Sequence, residues 1–266
     1  MKHTPSVLWE DETLVVLDKP AGMVVNRAES VKGETVQDWV NNNFKFQISR
    51  LHPPKATQLL AGADGRQANF KLENKEQETD FLNRSGIVHR IDKETSGILL
   101  VAKTPVSFAN LQRQFQAHEV KKTYLALVHG DVPKEGKITA PVGRLPWNRG
   151  HFGIVPGGKE ANTKYKRVMS YEVRVKGKNE KLSLVEVYPE TGRTHQIRVH
   201  FKYLGYPLVG DYLYGGRIQS RDDRTWAPRV MLHAWKIEFR HPTTSTPLAF
   251  EAPIPDDMGR ILNLKF

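Results

Sequence analysis

The sequence predicts an α+β fold, a mixed and mainly antiparallel sheet with flanking helices and loops. Three observations carry that prediction. Short apolar runs bounded by Gly, Pro, Asn or Asp outnumber the helical stretches. Neighbouring runs are spaced as hairpins more often than as strands joined by a crossover helix. No internal repeat, heptad pattern or low-complexity tract competes with this reading.

Taken in order, Leu14-Val15-Val16-Leu17 reads as a buried strand, Asp18-Lys19-Pro20-Ala21-Gly22 as a turn, and Met23-Val24-Val25 as a returning strand. Thr35 is placed to cap a helix that carries Val36, Trp39 and Val40 on one face. Residues 45–84 contain Pro53-Pro54, Gly62, Gly65 and a polar run from Glu73 to Asp80, and read as a long irregular insertion. The apolar run Ile98–Ala102 reads as a buried strand after a Thr95-Ser96-Gly97 turn. Thr104-Pro105 opens a helix with Phe108, Leu111 and Phe115 on one face. Strands are expected over Thr123–Val128, Lys164–Val168, Leu182–Tyr188 and Met231–Phe239. Thr194–Leu204 reads as a helix ended by Gly205 and Pro207, and Asp256-Asp257 opens a final short helix.

The 266 residues suffice for one large core or two small ones, and the absence of Cys excludes disulfides, thiolate metal sites and cysteine nucleophiles. The N-terminal residues lack the apolar run of a signal peptide, and no stretch approaches the roughly 20 apolar residues of a membrane-spanning helix. A soluble, cytoplasmic protein with no membrane partner is expected, a monomer by default. Forty Lys and Arg against 29 Asp and Glu give a formal charge of +11, which favours a polyanionic partner, nucleic acid first.

Four segments carry polar side chains in informative settings. His89-Arg90-Ile91-Asp92-Lys93-Glu94-Thr95-Ser96-Gly97 places a carboxylate between two cations, in a loop anchored by Ile87-Val88 before it and Ile98–Ala102 after it. Taken alone, Asp92 is as well explained by capping the turn at Glu94 or Thr95. Thr191-Gly192-Arg193-Thr194-His195-Gln196-Ile197-Arg198-Val199-His200 sets Arg193 and Arg198 about a helix start, where phosphate or carboxylate binding is expected. Lys121–Val128 carries Tyr124 on one strand face with Leu125 and Leu127 on the other. Gly205–Gly215 is dense in glycines and aromatics, consistent with a structural turn or with base stacking. Nucleotide-binding Gly-rich motifs, a hydrolase elbow and metal-ligand spacings are absent.

Together these segments resemble the RluA family of RNA pseudouridine synthases, over about residues 6–254. Glu10-Asp11 with Leu14–Gly22 resembles the entry motif, His89–Lys103 the catalytic motif, Lys122-Thr123-Tyr124 the Lys-x-Tyr segment, and Thr191–Gly215 the final motif. Ile91 replaces the usual Leu, and Asn26 stands where many members carry His.

The resemblance implies the pseudouridine synthase catalytic domain over 6–254, with a tail or short helix over 255–266; an S4-like domain, which several members carry, is not expected before residue 6. It also implies isomerisation of uridine within tRNA or rRNA, with no cofactor and no metal. Asp92 corresponds to the catalytic nucleophile, Arg198 to the buried Arg that pairs with it, and Tyr124 to the Tyr that stacks on the flipped base. Arg90 corresponds to the residue that fills the vacated stack. His89, Lys122, Arg193 and His195 are expected to contact RNA.

Overall fold

A computed structural model describes residues 4–44, 77–175 and 178–263. Its strands are β1 (Ser6–Glu10), β2 (Leu14–Lys19), β3 (Ser96–Ala102), β4 (Lys121–His129), β5 (Glu135–Thr139), β6 (Val142–Leu145), β7 (Asn148–Ile154), β8 (Asn162–Val175), β9 (Lys178–Pro189), β10 (Leu232–Arg240) and β11 (Pro247–Glu251). Helices are α1 (Val36–Asn43), α2 (described over 77–83), α3 (Pro105–Gln116), α4 (Gln196–Tyr203), α5 (Arg217–Asp223) and α6 (Asp256–Asn263).

One nine-stranded sheet runs β1-β2-β3-β10-β4-β9-β8-β5, with β11 paired to the far half of β10. Every ladder in it is antiparallel except β3–β10. Strands β6 and β7 form a separate hairpin. The mixed, mainly antiparallel α+β architecture is therefore as expected.

Strand β3 shows why its sequence is a continuous apolar run. All seven of its residues are buried. Ile98, Leu100 and Ala102 pack with Leu14, Val16, Phe81, Phe108 and Leu111, beneath α2 and α3. Leu99 and Val101 face the opposite way, against Val15, Leu17, Val36, Val40 and Ile87. A strand covered on both faces has no polar alternation to display. Gly97 sits at φ +109° where β3 meets β10, and a Cβ there would lie 2.2 Å from the Ala234 carbonyl oxygen.

Thr35 caps α1 as expected. Its hydroxyl accepts from Asp38 N at 3.1 Å while the Asp38 carboxylate accepts from Thr35 N at 2.9 Å, a complete capping box. Thr104 caps α3 through its hydroxyl alone, which accepts from Ser107 N at 3.2 Å, with Pro105 in the first turn.

Several expectations are corrected. Met23–Val25 is not a strand but part of a turn that wraps the Lys19 ammonium, which donates to Pro20 O (2.7 Å), Met23 O (2.9 Å) and Lys93 O (3.2 Å). Ser96 and Gly97 already belong to β3, so the turn before it ends at Thr95. The face of β4 that carries Tyr124 is apolar too, because Ala126 and Val128 lie under α4. Helix α4 begins at Gln196, two residues later than expected, because His195 takes a left-handed conformation (φ 56°, ψ 18°) that cannot continue a helix. Of the expected irregular stretch, residues 45–76 lie outside the described residues, while 77–83 are helical.

Candidate active site

The loop after Val88 enters the core and is fixed by its own backbone. Thr95 N donates to Asp92 O (3.1 Å), and Gly22 N donates to Lys93 O (2.7 Å). Arg229 Nη1 donates to Glu94 O at 3.1 Å, and Arg224 Nη2 reaches both Glu94 carboxylate oxygens at 3.0 and 2.7 Å. Arg229 is itself paired through Nε and Nη2 with Asp257 of α6, at 2.6 and 3.0 Å. Three consecutive carbonyls are thus held, and Asp92 is left with its side chain free of the turn. The capping explanation of Asp92 fails for that reason: its backbone carbonyl, not its carboxylate, closes the turn.

The carboxylate instead meets Arg198, whose Nη1 donates to Asp92 Oδ2 at 3.1 Å. Arg198 lies in the first turn of α4 and is buried. Its Nε and Nη2 donate to the two oxygens of Asp211, each at 2.8 Å, a bidentate pair. Burial works against the guanidinium charge, but Asp211 and then Asp92 more than offset it and raise its pKa. Asp211 is completely buried and also accepts from Leu213 N and Tyr214 N. The Tyr214 ring lies under the Arg198 guanidinium, 5.0 Å from its centroid.

A pocket of about 530 Å³ opens beside this pair, within the range of nucleotide-sized sites. His89, Arg90, Asp92, Lys122, Tyr124, Arg193, His195 and Arg198 all line it, with Phe115, Thr191 and Leu232 among the others. Every site residue expected from the sequence therefore converges on one cavity. Burial, followed by the nearby Asp92 charge, raises the pKa of the Tyr124 phenol, which stays protonated. Burial lowers the Lys122 ammonium, which has no acidic partner among the described residues.

His89 is placed differently from a surface RNA contact. Its Nε2 accepts from Leu100 N at 3.1 Å and its ring stacks on Phe115, centroids 4.7 Å apart. Burial, with Lys122 nearby, pushes its pKa down to about 3, so it meets the pocket as a neutral imidazole. Arg90 is exposed at the rim. Arg193 Nε donates to Glu160 O at 3.0 Å. Among the described residues, no cluster of three or more His, Asp or Glu is placed to hold a metal ion.

Asp211, Tyr214, Lys19 and the Glu94–Arg224–Arg229–Asp257 chain are absent from the sequence-based set. Asp211 and Tyr214 lie in the Gly205–Gly215 segment singled out for its glycines and aromatics. The signal that points to Asp211 is the buried Arg itself, whose fork needs a second carboxylate.

A family model described as RNA pseudouridylate synthase matches residues 13–203. Ribosomal large subunit pseudouridine synthase D of Nitrosomonas europaea is 38% identical over 259 residues, covering 96% of this chain and 64% of that protein. An uncharacterized RNA pseudouridine synthase of Bacillus subtilis is 36% identical over 257 residues, covering 96% of this chain and 71% of that protein. This chain thus spans just under two thirds of the length of the first relative. Human RNA pseudouridylate synthase domain containing 1 shares the fold, with a TM-score of 0.64 at 24% identity over 95% of this chain and 84% of that one. The class so defined is that of the RNA pseudouridylate synthases. Within it the chain belongs to the RluA family, whose motifs it carries at His89–Lys103 and Thr191–Gly215.

Proposed function

We propose that this chain isomerises uridine to pseudouridine within RNA, with Asp92 as the nucleophile. The observation that carries the reading is the Asp92 carboxylate, set on a backbone held at three consecutive carbonyls and paired at 3.1 Å with a buried Arg198. A carboxylate is a competent nucleophile at a glycosidic centre. Arg198 pairs with it and fixes its rotamer, and Asp211 keeps Arg198 from moving with it.

In the proposed reaction the bond from uracil N1 to ribose C1′ breaks, the base turns, and C5 bonds to C1′. The C5 hydrogen leaves as a proton and N1 gains one, so composition is unchanged. A uridine inside a helix cannot reach the pocket, and the target must be flipped out. Tyr124 stacks on the flipped base, worth about 1–3 kcal/mol. Its raised pKa suits a protonated stacking platform better than a phenolate base. Arg90 at the rim fills the vacated stack. Lys122, a half-buried cation without an acidic partner among the described residues, binds phosphate, and Arg193 lies beside the backbone path. His89 contacts the nucleotide as a neutral ring. Residues 6–254 form the catalytic unit and α6 braces it from behind.

The large-subunit ribosomal relatives favour ribosomal RNA as substrate, and in this reading a monomer acts on it in the cytoplasm. The test is incubation with RNA carrying uridine tritiated at C5, drawn from a strain lacking the protein. Tritium release with RNA mass unchanged is expected, and mapping the new pseudouridines names the RNA. Released free uracil would instead mark a hydrolase, and tRNA sites alone would overturn the ribosomal assignment.

A further inference from the structure

His195 is the residue at the site whose conformation demands an explanation. Among the described residues it is one of four non-glycine residues with positive φ, and it stands at the N-terminus of α4 without making a capping hydrogen bond. Gly or Asn fits such a position at lower cost. A left-handed His therefore implies that the side chain is needed where this backbone puts it.

What it is needed for is set by its neighbours. His195 Nδ1 lies 2.8 Å from the Tyr214 hydroxyl. That hydroxyl already accepts from Phe152 N at 3.2 Å, on β7. Among the described residues Nδ1 is the one acceptor within reach of its hydrogen, and that pairing puts the imidazole hydrogen on Nε2. Nε2 faces the pocket, 3.9 Å from Asp92 Oδ2, too far for a hydrogen bond to it. The ring is clamped edge-to-face between Phe152 (5.6 Å) and Tyr214 (5.7 Å).

We infer that His195 presents its Nε2–H to an oxygen of the target nucleotide, and that the Tyr214 hydroxyl is a positioning group that fixes this tautomer. The inference rests on the proposed isomerase reading. The acceptor is a neutral oxygen beside the glycosidic bond, a ring carbonyl or a ribose hydroxyl. Burial lowers the His195 pKa; Asp92 and Asp211 act against it, while Arg198 on its own helix and Arg90 on the facing loop reinforce it. The ring is neutral at working pH, so the tautomer decides whether a donor is present.

The test uses the full chain and RNA with C5-tritiated uridine. Tyr214→Phe keeps the ring under Arg198 but frees the tautomer. At about pH 8 its turnover is expected to fall about tenfold, the worth of one neutral hydrogen bond. It should recover only as pH falls below the ordinary imidazole range of about 6.5, where the lowered His195 takes up its proton and carries a hydrogen on both nitrogens. In a His195→Ala background, Tyr214→Phe should add nothing and the pH-dependent recovery should vanish. A loss equal at every pH, or one that persists in full without His195, overturns the inference. Should Tyr214→Phe fail to fold, His195→Gln, which retains an N–H near Nε2, should keep more turnover than His195→Ala; equal losses overturn it. A target 2′-deoxyuridine names the acceptor: the His195→Ala defect disappears on it if the ribose hydroxyl is the partner and persists if a ring carbonyl is. Wild-type protein that releases no tritium from any RNA overturns the isomerase reading itself, a result distinct from wild-type turnover with an indifferent Tyr214→Phe.

Discussion

Arg198 is bound more firmly to Asp211 than to Asp92: two hydrogen bonds of 2.8 Å hold Asp211, and one of 3.1 Å reaches Asp92. The two carboxylates thus have different tasks. Asp211 is fully buried and anchors the guanidinium, while Asp92 remains partly open to the pocket. The arrangement delivers a fixed positive charge to a carboxylate that is free to react.

Asp211→Asn keeps the acceptor for Leu213 N and Tyr214 N but removes the charge opposite Arg198. Leaving one partner of a buried pair uncompensated costs about 3 kcal/mol. Urea unfolding should show that loss, and turnover should fall at least about tenfold with RNA affinity little changed. Unaltered stability and turnover would contradict the anchoring role.

Arg198→Lys keeps one positive charge but cannot bridge two carboxylates. Turnover should drop roughly a hundredfold, the scale of losing a preorganised electrostatic group. RNA binding, measured by filter retention, should weaken far less. Equal losses in both would make Arg198 a phosphate ligand instead.

Lys19→Met leaves the Pro20, Met23 and Lys93 carbonyls without their shared donor. Burial, aided by Arg229, already pushes the Lys19 ammonium down to about 7 against the pull of Asp92 and Asp18, so it is kept for its three hydrogen bonds. Losing them should cost about 3 kcal/mol in thermal unfolding. Turnover should fall as well, because Lys93 O is next to Asp92 in the loop. Lost stability with turnover intact would show that the clamp does not reach the site.

Asp257 links α6 to the same loop and gives a pH test. Burial alone would raise its carboxyl, but Arg229 and Met258 N lower it below the usual carboxylate range. A depressed folded-state pKa stabilises the protein above the unfolded value and loses that effect as pH falls through the folded one. The stability difference between wild type and Asp257→Asn should therefore be full at neutral pH and shrink below about pH 4. A difference constant with pH would contradict the ion pair.

The parts of this fold legible in the sequence are those encoded locally. Leu14–Leu17 and Ile98–Ala102 read as buried strands because both faces are covered, and α1 reads from Thr35 and its box with Asp38. Asp92, Tyr124 and Arg198 were legible only through the ordered resemblance of their segments to a family, since taken alone Asp92 reads equally well as a turn cap. What was not legible depends on contacts distant in sequence. The parallel pairing of β3 with β10 joins residues 96–97 to 233–234. Met23–Val25 has the apolar composition of a strand, yet Lys19 Nζ and the first amides of α1, Val36 N and Gln37 N, supply the partners a strand neighbour would. Nothing local marks Asp211 as the anchor of Arg198, and the left-handed His195 is visible only once Tyr214 and Asp92 are beside it.

The central claim is that the Asp92 carboxylate does the chemistry, and comparing wild type with Asp92→Asn tests it most directly. Both are supplied with C5-tritiated RNA from a strain lacking the protein, and pseudouridine is counted alongside RNA binding. Asp92→Asn preserves side-chain shape and a hydrogen-bond acceptor for Arg198, so it should bind RNA and form no pseudouridine. Pseudouridine at the wild-type rate from Asp92→Asn would contradict the account.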